Sequence, residues 1–90
     1  MKTTKIFITG TVQGIFFRRF IKEEAEKLGL KGFVRNLDDG RIEVVAEGRD
    51  ENINKMILVC KKGSEHSIIK NVESQEIRNQ GFDSFKVLSL

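Results

Sequence analysis

Residues 10–18 read Gly-Thr-Val-Gln-Gly-Ile-Phe-Phe-Arg, and they combine three things that anion chemistry needs. Gly14 lets the main chain turn sharply, with positive φ where required. The amides of residues 14 to 18 can then converge on one point, at the start of a helix whose free N–H groups and positive dipole end add to the field. Arg18 stands at this junction with a planar donor fork suited to phosphate oxygens. An anion cradle is the natural reading, with phosphate as its best-matched occupant. Strand–glycine–helix junctions also occur that bind nothing, and the adjacent Arg19 is equally cationic. Arg18 is expected to be the inward one, because it follows core-facing Phe17 and lies nearer the loop.

The elements that must position this segment follow from periodicity. Lys5 to Val12 alternate as a strand, with Ile6, Ile8, Gly10 and Val12 on one face. After the tight segment 13–17, Phe17, Phe20, Ile21, Ala25 and Leu28 recur at steps of three or four and predict an amphipathic helix, stopped by Gly29. Residues 31–37 predict a second strand. Asp38-Asp39-Gly40 then signals a hairpin into a third, Arg41 to Glu47, with Ile42, Val44 and Ala46 on one face. Asp50 is placed to cap a second helix, in which Ile53, Met56, Ile57 and Cys60 form the apolar stripe. Lys61-Lys62-Gly63 ends it, with cations where the macrodipole favours them. Residues 68–78 and Phe85 to Leu90 predict two more strands, the last short and irregular. The order β-α-β-β-α-β predicts an α+β, ferredoxin-like sandwich: one antiparallel sheet with both helices on one face.

Composition narrows the function classes. Leu, Ile, Val and Phe fill 30 of the 90 positions, enough for the core of one domain spanning residues 1–90. The net charge of +3 suits a small anionic ligand better than a duplex nucleic acid. No apolar run approaches the roughly 18–20 residues that cross a bilayer. The run behind the basic start, Ile6-Phe7-Ile8, is far shorter than the ~7–15 residues of a secretory signal. A cytoplasmic location is therefore expected. The single cysteine, Cys60, excludes an internal disulfide, and with the single histidine, His66, it excludes ordinary structural zinc sites.

Gly10-Thr11-Val12-Gln13-Gly14-Ile15-Phe16-Phe17-Arg18 resembles the first signature of the acylphosphatase family, Gly-x-Val-Gln-Gly-Val-x-Phe-Arg, with Ile15 for Val as the one change at a fixed position. Gly32-Phe33-Val34-Arg35-Asn36, then Asp39-Gly40, Ile42-Glu43 and Gly48, resemble the second signature. The likeness is close over residues 5–48 and looser beyond. It implies a small ferredoxin-like enzyme that hydrolyses the anhydride between a carboxylic acid and phosphate. Carried over by motif position, Arg18 is the catalytic arginine that binds the phosphoryl group, and Asn36 is the catalytic asparagine that holds the attacking water. The amides of Gln13, Gly14, Ile15, Phe16, Phe17 and Arg18 line the phosphate loop. The family uses neither metal nor cofactor and forms no phosphoenzyme. The expected partners are an acyl phosphate and inorganic phosphate as product or inhibitor, with no nucleic acid and no membrane. Nothing requires more than a monomer. Thr11 and Gly63-Ser64 depart from common family residues and bear on loop shape and substrate preference.

The remaining polar residues have plainer readings. His66 sits in the polar loop Gly63–Ser67 as a solvated residue, and Cys60 is a buried small hydrophobe. Asp39 makes the turn. Glu43 and Glu47 are expected to face solvent, and together with Asp38 and Asp39 they make a poor case for a cation site. Phe16, Phe17 and Phe20 are expected in the core, with Phe16 the one able to wall the pocket. Two other functions share the fold: a catalytically inactive anion-binding module and an RNA-binding module. Lys31-Gly32-Phe33-Val34 imitates the start of an RNA-recognition motif, but the third strand, Arg41 to Glu47, has no aromatic ring for a base to stack on.

Overall fold

The computed structural model describes residues 1–11 and 14–88. Its elements in chain order are β1 (Lys2–Thr11), α1 (Gly14–Lys27), β2 (Lys31–Asn36), β3 (Ile42–Gly48), α2 (Asp50–Lys62), β4 (Ile68–Ile77) and β5 (Phe85–Val87). The strands form one sheet in the order β4-β1-β3-β2-β5. β1 pairs antiparallel with β3 and β4, and β2 pairs antiparallel with β3.

Alternation along the strands sorts side chains to two faces. Ile6 and Ile8 pair with Val44 and Ile42, and Val34 pairs with Val44 from the other side. This row, with Ala46, is fully buried. Phe17, Ile21 and Ala25 of α1 and Ile53, Met56 and Cys60 of α2 close on it as one core. Both helices thus cover one face, as the stripes predict. Each of the larger apolar side chains contributes about 1.5–3 kcal/mol relative to exposure.

Four expectations need correction. The sheet is mixed, because β5 runs parallel to β2, pairing Gly32 with Phe85 and Val34 with Val87. The segment after β4 crosses the open face and enters at the opposite edge, so it runs in the same direction as β2. β5 itself ends at Val87, though Leu88 still donates its N–H to the Val34 carbonyl at 2.9 Å. Val12, Ser89 and Leu90, expected in strands, lie outside the described residues.

The second correction concerns α2. Its N-cap is Arg49, in extended conformation, and the Arg49 carbonyl accepts from Asn52 and Ile53. Asp50 lies inside the first turn beside Glu51, where the helix dipole favours both. At the other end Gly63 donates to the Val59 carbonyl at 2.9 Å, as expected of the stop.

The third concerns Glu43 and Glu47, which are buried, at 4% and 3% exposure. Both lie on the sheet's open face and are covered there, Glu43 by its hairpin neighbour and Glu47 by partners distant in sequence. Arg35, across the β2–β3 pair, donates from Nε to Glu43 at 2.7 Å. Glu47 accepts from the Thr3 hydroxyl and from the main-chain N–H groups of Gln80, Gly81 and Phe82. Phe82 meets Phe33 edge to face, with ring centroids 5.9 Å apart. The Glu47 carboxylate is therefore the post around which the crossing segment turns. Burial alone would raise its pKa, but these hydrogen bonds outweigh burial and hold it below the ordinary carboxylate value.

The fourth concerns Phe16, which is 67% exposed rather than in the core. Phe17 is buried and Phe20 partly so.

Candidate active site

The pairing fixes which groups share one end of the molecule. β1, β2 and β5 run towards that end, β3 and β4 start from it, α1 begins there and α2 returns to it. Ile42, at the start of β3, pairs with Asn36 on one side and Ile8 on the other. Thr11, at the end of β1, pairs with Ile68 at the start of β4. The junction between β1 and α1 therefore has Asn36 on its β2 flank and the 63–67 loop on its β4 flank.

Two glycines shape that junction. β1 carries a bulge between Thr9 and Gly10, and any Cβ on Gly10 would collide with the Ile68 carbonyl oxygen. Gly14 has φ +40°, a conformation that side chains with a Cβ rarely adopt, and the space around it is open. The helix starts at Gly14 itself, so Ile15 and Phe16, expected in a tight loop, already belong to its first turn. The N–H groups of Gly14, Ile15 and Phe16 have no intrahelical acceptor. Gln13, read as part of the cradle, lies outside the described residues.

The electrostatics of this turn are one-sided. α1 has no acidic residue in its first turn, whereas α2 has Asp50 and Glu51 there. The positive end of α1 receives no counter-charge from its own first turn. Arg18, one turn in, adds a full positive charge. It is half-buried while Arg19 is exposed, so Arg18 is the inward arginine. Its Nη1 donates to the Leu88 carbonyl at 3.3 Å. Its Nε is buried without a hydrogen-bond partner among the described residues. A buried guanidinium donor left unpaired costs free energy that a bound anion would recover.

Asn36 closes β2 on the same sheet face as Val34, and it is half-buried. Among the described residues no hydrogen bond holds its side chain, so the amide can both donate and accept. Its neighbour Arg35 points to the opposite face and pairs with Glu43, which steadies the end of the strand. The adjoining hairpin is closed by Leu37 donating to the Arg41 carbonyl at 2.8 Å. Asp39 accepts from the Arg41 main chain at 3.0 Å and from its Nε at 2.8 Å, and these bonds hold its pKa below the ordinary value. Asp39 is thus occupied in the turn. Among the described residues no three His, Cys, Asp or Glu side chains gather as a metal-ligand set. The open face of β3 carries Glu43, Val45 and Glu47, a poor platform for a nucleobase.

Sequence reasoning missed Leu88. Its role is played by a carbonyl oxygen that any residue would supply, so no side-chain signal marks it. It also treated His66 as a solvated loop residue. His66 is exposed, but it lines a groove of about 510 Å³ with Phe16, Phe17, Phe20, Ser64 and Glu65.

Among the described residues no helix is long and apolar enough to cross a membrane. The acylphosphatase family model matches residues 4–87. An acylphosphatase of Haloarcula marismortui is 42% identical over 82 residues, covering 91% of this chain and 90% of that protein. The crystal structure of acylphosphatase from Bacillus subtilis superposes with a TM-score of 0.91 at 36% identity, covering 98% and 99% of the two chains. An acylphosphatase structure from Coxiella burnetii gives 0.92 at 32% identity, covering 97% and 92%. With an anion-seeking helix end, an inward arginine and this likeness along almost its whole length, the chain belongs to the acylphosphatase family of acid-anhydride hydrolases.

Proposed function

We propose that the chain hydrolyses small acyl phosphates to carboxylate and inorganic phosphate, without a metal, using Arg18 and Asn36. The observation that carries the site assignment is the acid-free first turn of α1 joined to the buried Nε of Arg18, unpaired among the described residues. The phosphoryl group sits on the amides of residues 13–18, and the Arg18 fork holds its oxygens. Asn36 orients the attacking water. The new bond joins the water oxygen to phosphorus, the phosphorus–acyl oxygen bond breaks, and the carboxylate leaves with the bonding pair. A carboxylate is a good leaving group and needs no strong acid. The water proton passes to a phosphate oxygen. Positioning and charge stabilisation are then sufficient, as a loose phosphoryl-transfer transition state requires.

The reading includes one domain over residues 1–90, a monomer in the cytoplasm, and inorganic phosphate as product and competitive inhibitor. The test is benzoyl phosphate hydrolysis followed by ultraviolet absorbance, with chelator present and phosphate as competitor. Chelator-resistant turnover inhibited by phosphate is expected. Folded protein that binds phosphate without turnover would make the chain an anion-binding module. Neither turnover nor phosphate binding would overturn the cradle.

A further inference from the structure

Resting on that reaction, we infer that the groove between the start of α1 and the 64–66 loop is the subsite for the acyl group, and that it selects an extended apolar acyl chain or aromatic ring. In-line displacement puts the leaving carboxylate opposite the attacking water. Asn36 places the water on the β2 flank of the junction. The acyl group must then leave towards the β4 flank. That flank holds the 63–67 loop, tied to the end of β1 by the Thr11–Ile68 pair. The occupant is fixed by this continuity, because the acyl carbon is one oxygen away from the phosphorus that the cradle holds.

The walls set the chemistry. Phe16, Phe17 and Phe20 line one side, and Ser64, Glu65 and His66 the other. A second hollow of about 530 Å³ shares Phe20, Ser64 and Glu65 and continues along α1 to Glu24, facing Val59 and Lys62. Phe16, Phe20 and Glu24 are spaced four apart, so they form one helical row and the two hollows make a single trough. Its near end is apolar and long enough to reward a chain beyond acetyl. Glu65 at the rim disfavours an acyl group with a second negative charge. The groove on the other flank of α1, about 470 Å³, carries Arg19, Lys22 and Lys86 and would favour the opposite.

The test compares kcat/KM for acetyl, butyryl, hexanoyl, benzoyl and succinyl phosphates. From acetyl to hexanoyl the value is expected to rise about two- to fourfold per methylene, the upper figure corresponding to the ~0.8 kcal/mol of a fully buried one. Phe16→Ala should lower the benzoyl-to-acetyl ratio about tenfold, and Phe16→Leu should restore most of it. A purely structural role for the ring would lower both substrates together and leave the ratio alone. Glu65→Gln should raise succinyl relative to butyryl phosphate about two- to fivefold, the range of an exposed charge interaction. Lys31→Ala, exposed at the start of β2 and so at the opposite end of the molecule, should leave every ratio unchanged. A flat chain-length series, an unmoved ratio in Phe16→Ala, or wild-type preference for succinyl phosphate would overturn the subsite while the hydrolytic reading stands. No hydrolysis of any of the five would overturn both.

Discussion

Arg18 reaches from α1 to the carbonyl oxygen of Leu88, 3.3 Å from its Nη1, and Leu88 in turn donates its N–H to Val34 of β2. The guanidinium is thereby tied, through one residue, to the strand that ends in Asn36. The two groups assigned to the phosphoryl group and the water are held on a common frame although 18 positions separate them. A fork held on one side by a main-chain carbonyl keeps its remaining donors free for an anion.

Arg18→Ala should abolish most phosphate affinity and lower turnover by roughly 10²–10³-fold, the scale of removing one oriented donor from a transition state. Circular dichroism should remain native. Arg18→Lys should recover little, because an ammonium lacks the planar fork. Arg19→Ala is the control, and a comparable loss there would show that the wrong arginine was chosen.

Removal of the Asn36 amide separates binding from chemistry. Asn36→Ala should cut kcat by roughly 10²-fold or more, while phosphate still inhibits with nearly its native strength. Steady-state kinetics with phosphate as inhibitor measures both quantities. Normal turnover would remove Asn36 from the mechanism.

The pKa of Glu47 is lowered on folding, so its contribution to stability is complete above the ordinary carboxylate pKa. That contribution is lost as pH falls through the lower, folded value. Urea unfolding should show wild-type stability declining below about pH 4.5, the unperturbed range. Glu47→Gln should flatten part of this decline and cost about 2–3 kcal/mol near neutrality, the range for a charge-assisted bond among buried donors. An unchanged pH profile in the variant would mean that other carboxylates govern acid unfolding.

Burial pushes the Cys60 thiol up to about 12, and its side chain is fully enclosed. The thiolate is the reactive species, so native protein at pH 8 should resist an aromatic disulfide reagent. Unfolding in guanidinium should release one fast-reacting thiol per chain. Rapid labelling of the native state would show that α2 opens readily.

Most of the architecture was legible because it rests on local pattern. The stripe Phe17–Ile21–Ala25, the alternation Ile42–Val44–Ala46 and the Asp39-Gly40 turn each state their element within a few residues. What escaped depends on partners far along the chain. Glu47 reads as a solvent-facing strand position until Thr3 and residues 80–82 arrive to cover it. The parallel direction of β5 depends on where the crossing segment lands, and three short residues of strand do not announce it. The inward setting of Arg18 and the place of Asn36 at the end of β2 were legible through motif and position. The carbonyl that aims Arg18 and the trough beside Phe16 arise only when separate elements meet.

β1 sits between β3 and β4, with Thr3 bonded in register to Glu47 on one side and Ile77 on the other. A chain emerging from the ribosome therefore holds both Arg18 and Asn36 long before it can seat them. The sheet edge that fixes the β1–α1 junction is supplied by β4, and the carbonyl that aims Arg18 arrives after β5. Pairings this distant in sequence form slowly. Recovery of hydrolysis during refolding should therefore trail the return of helical signal, which makes turnover itself a reporter of the last strands to dock.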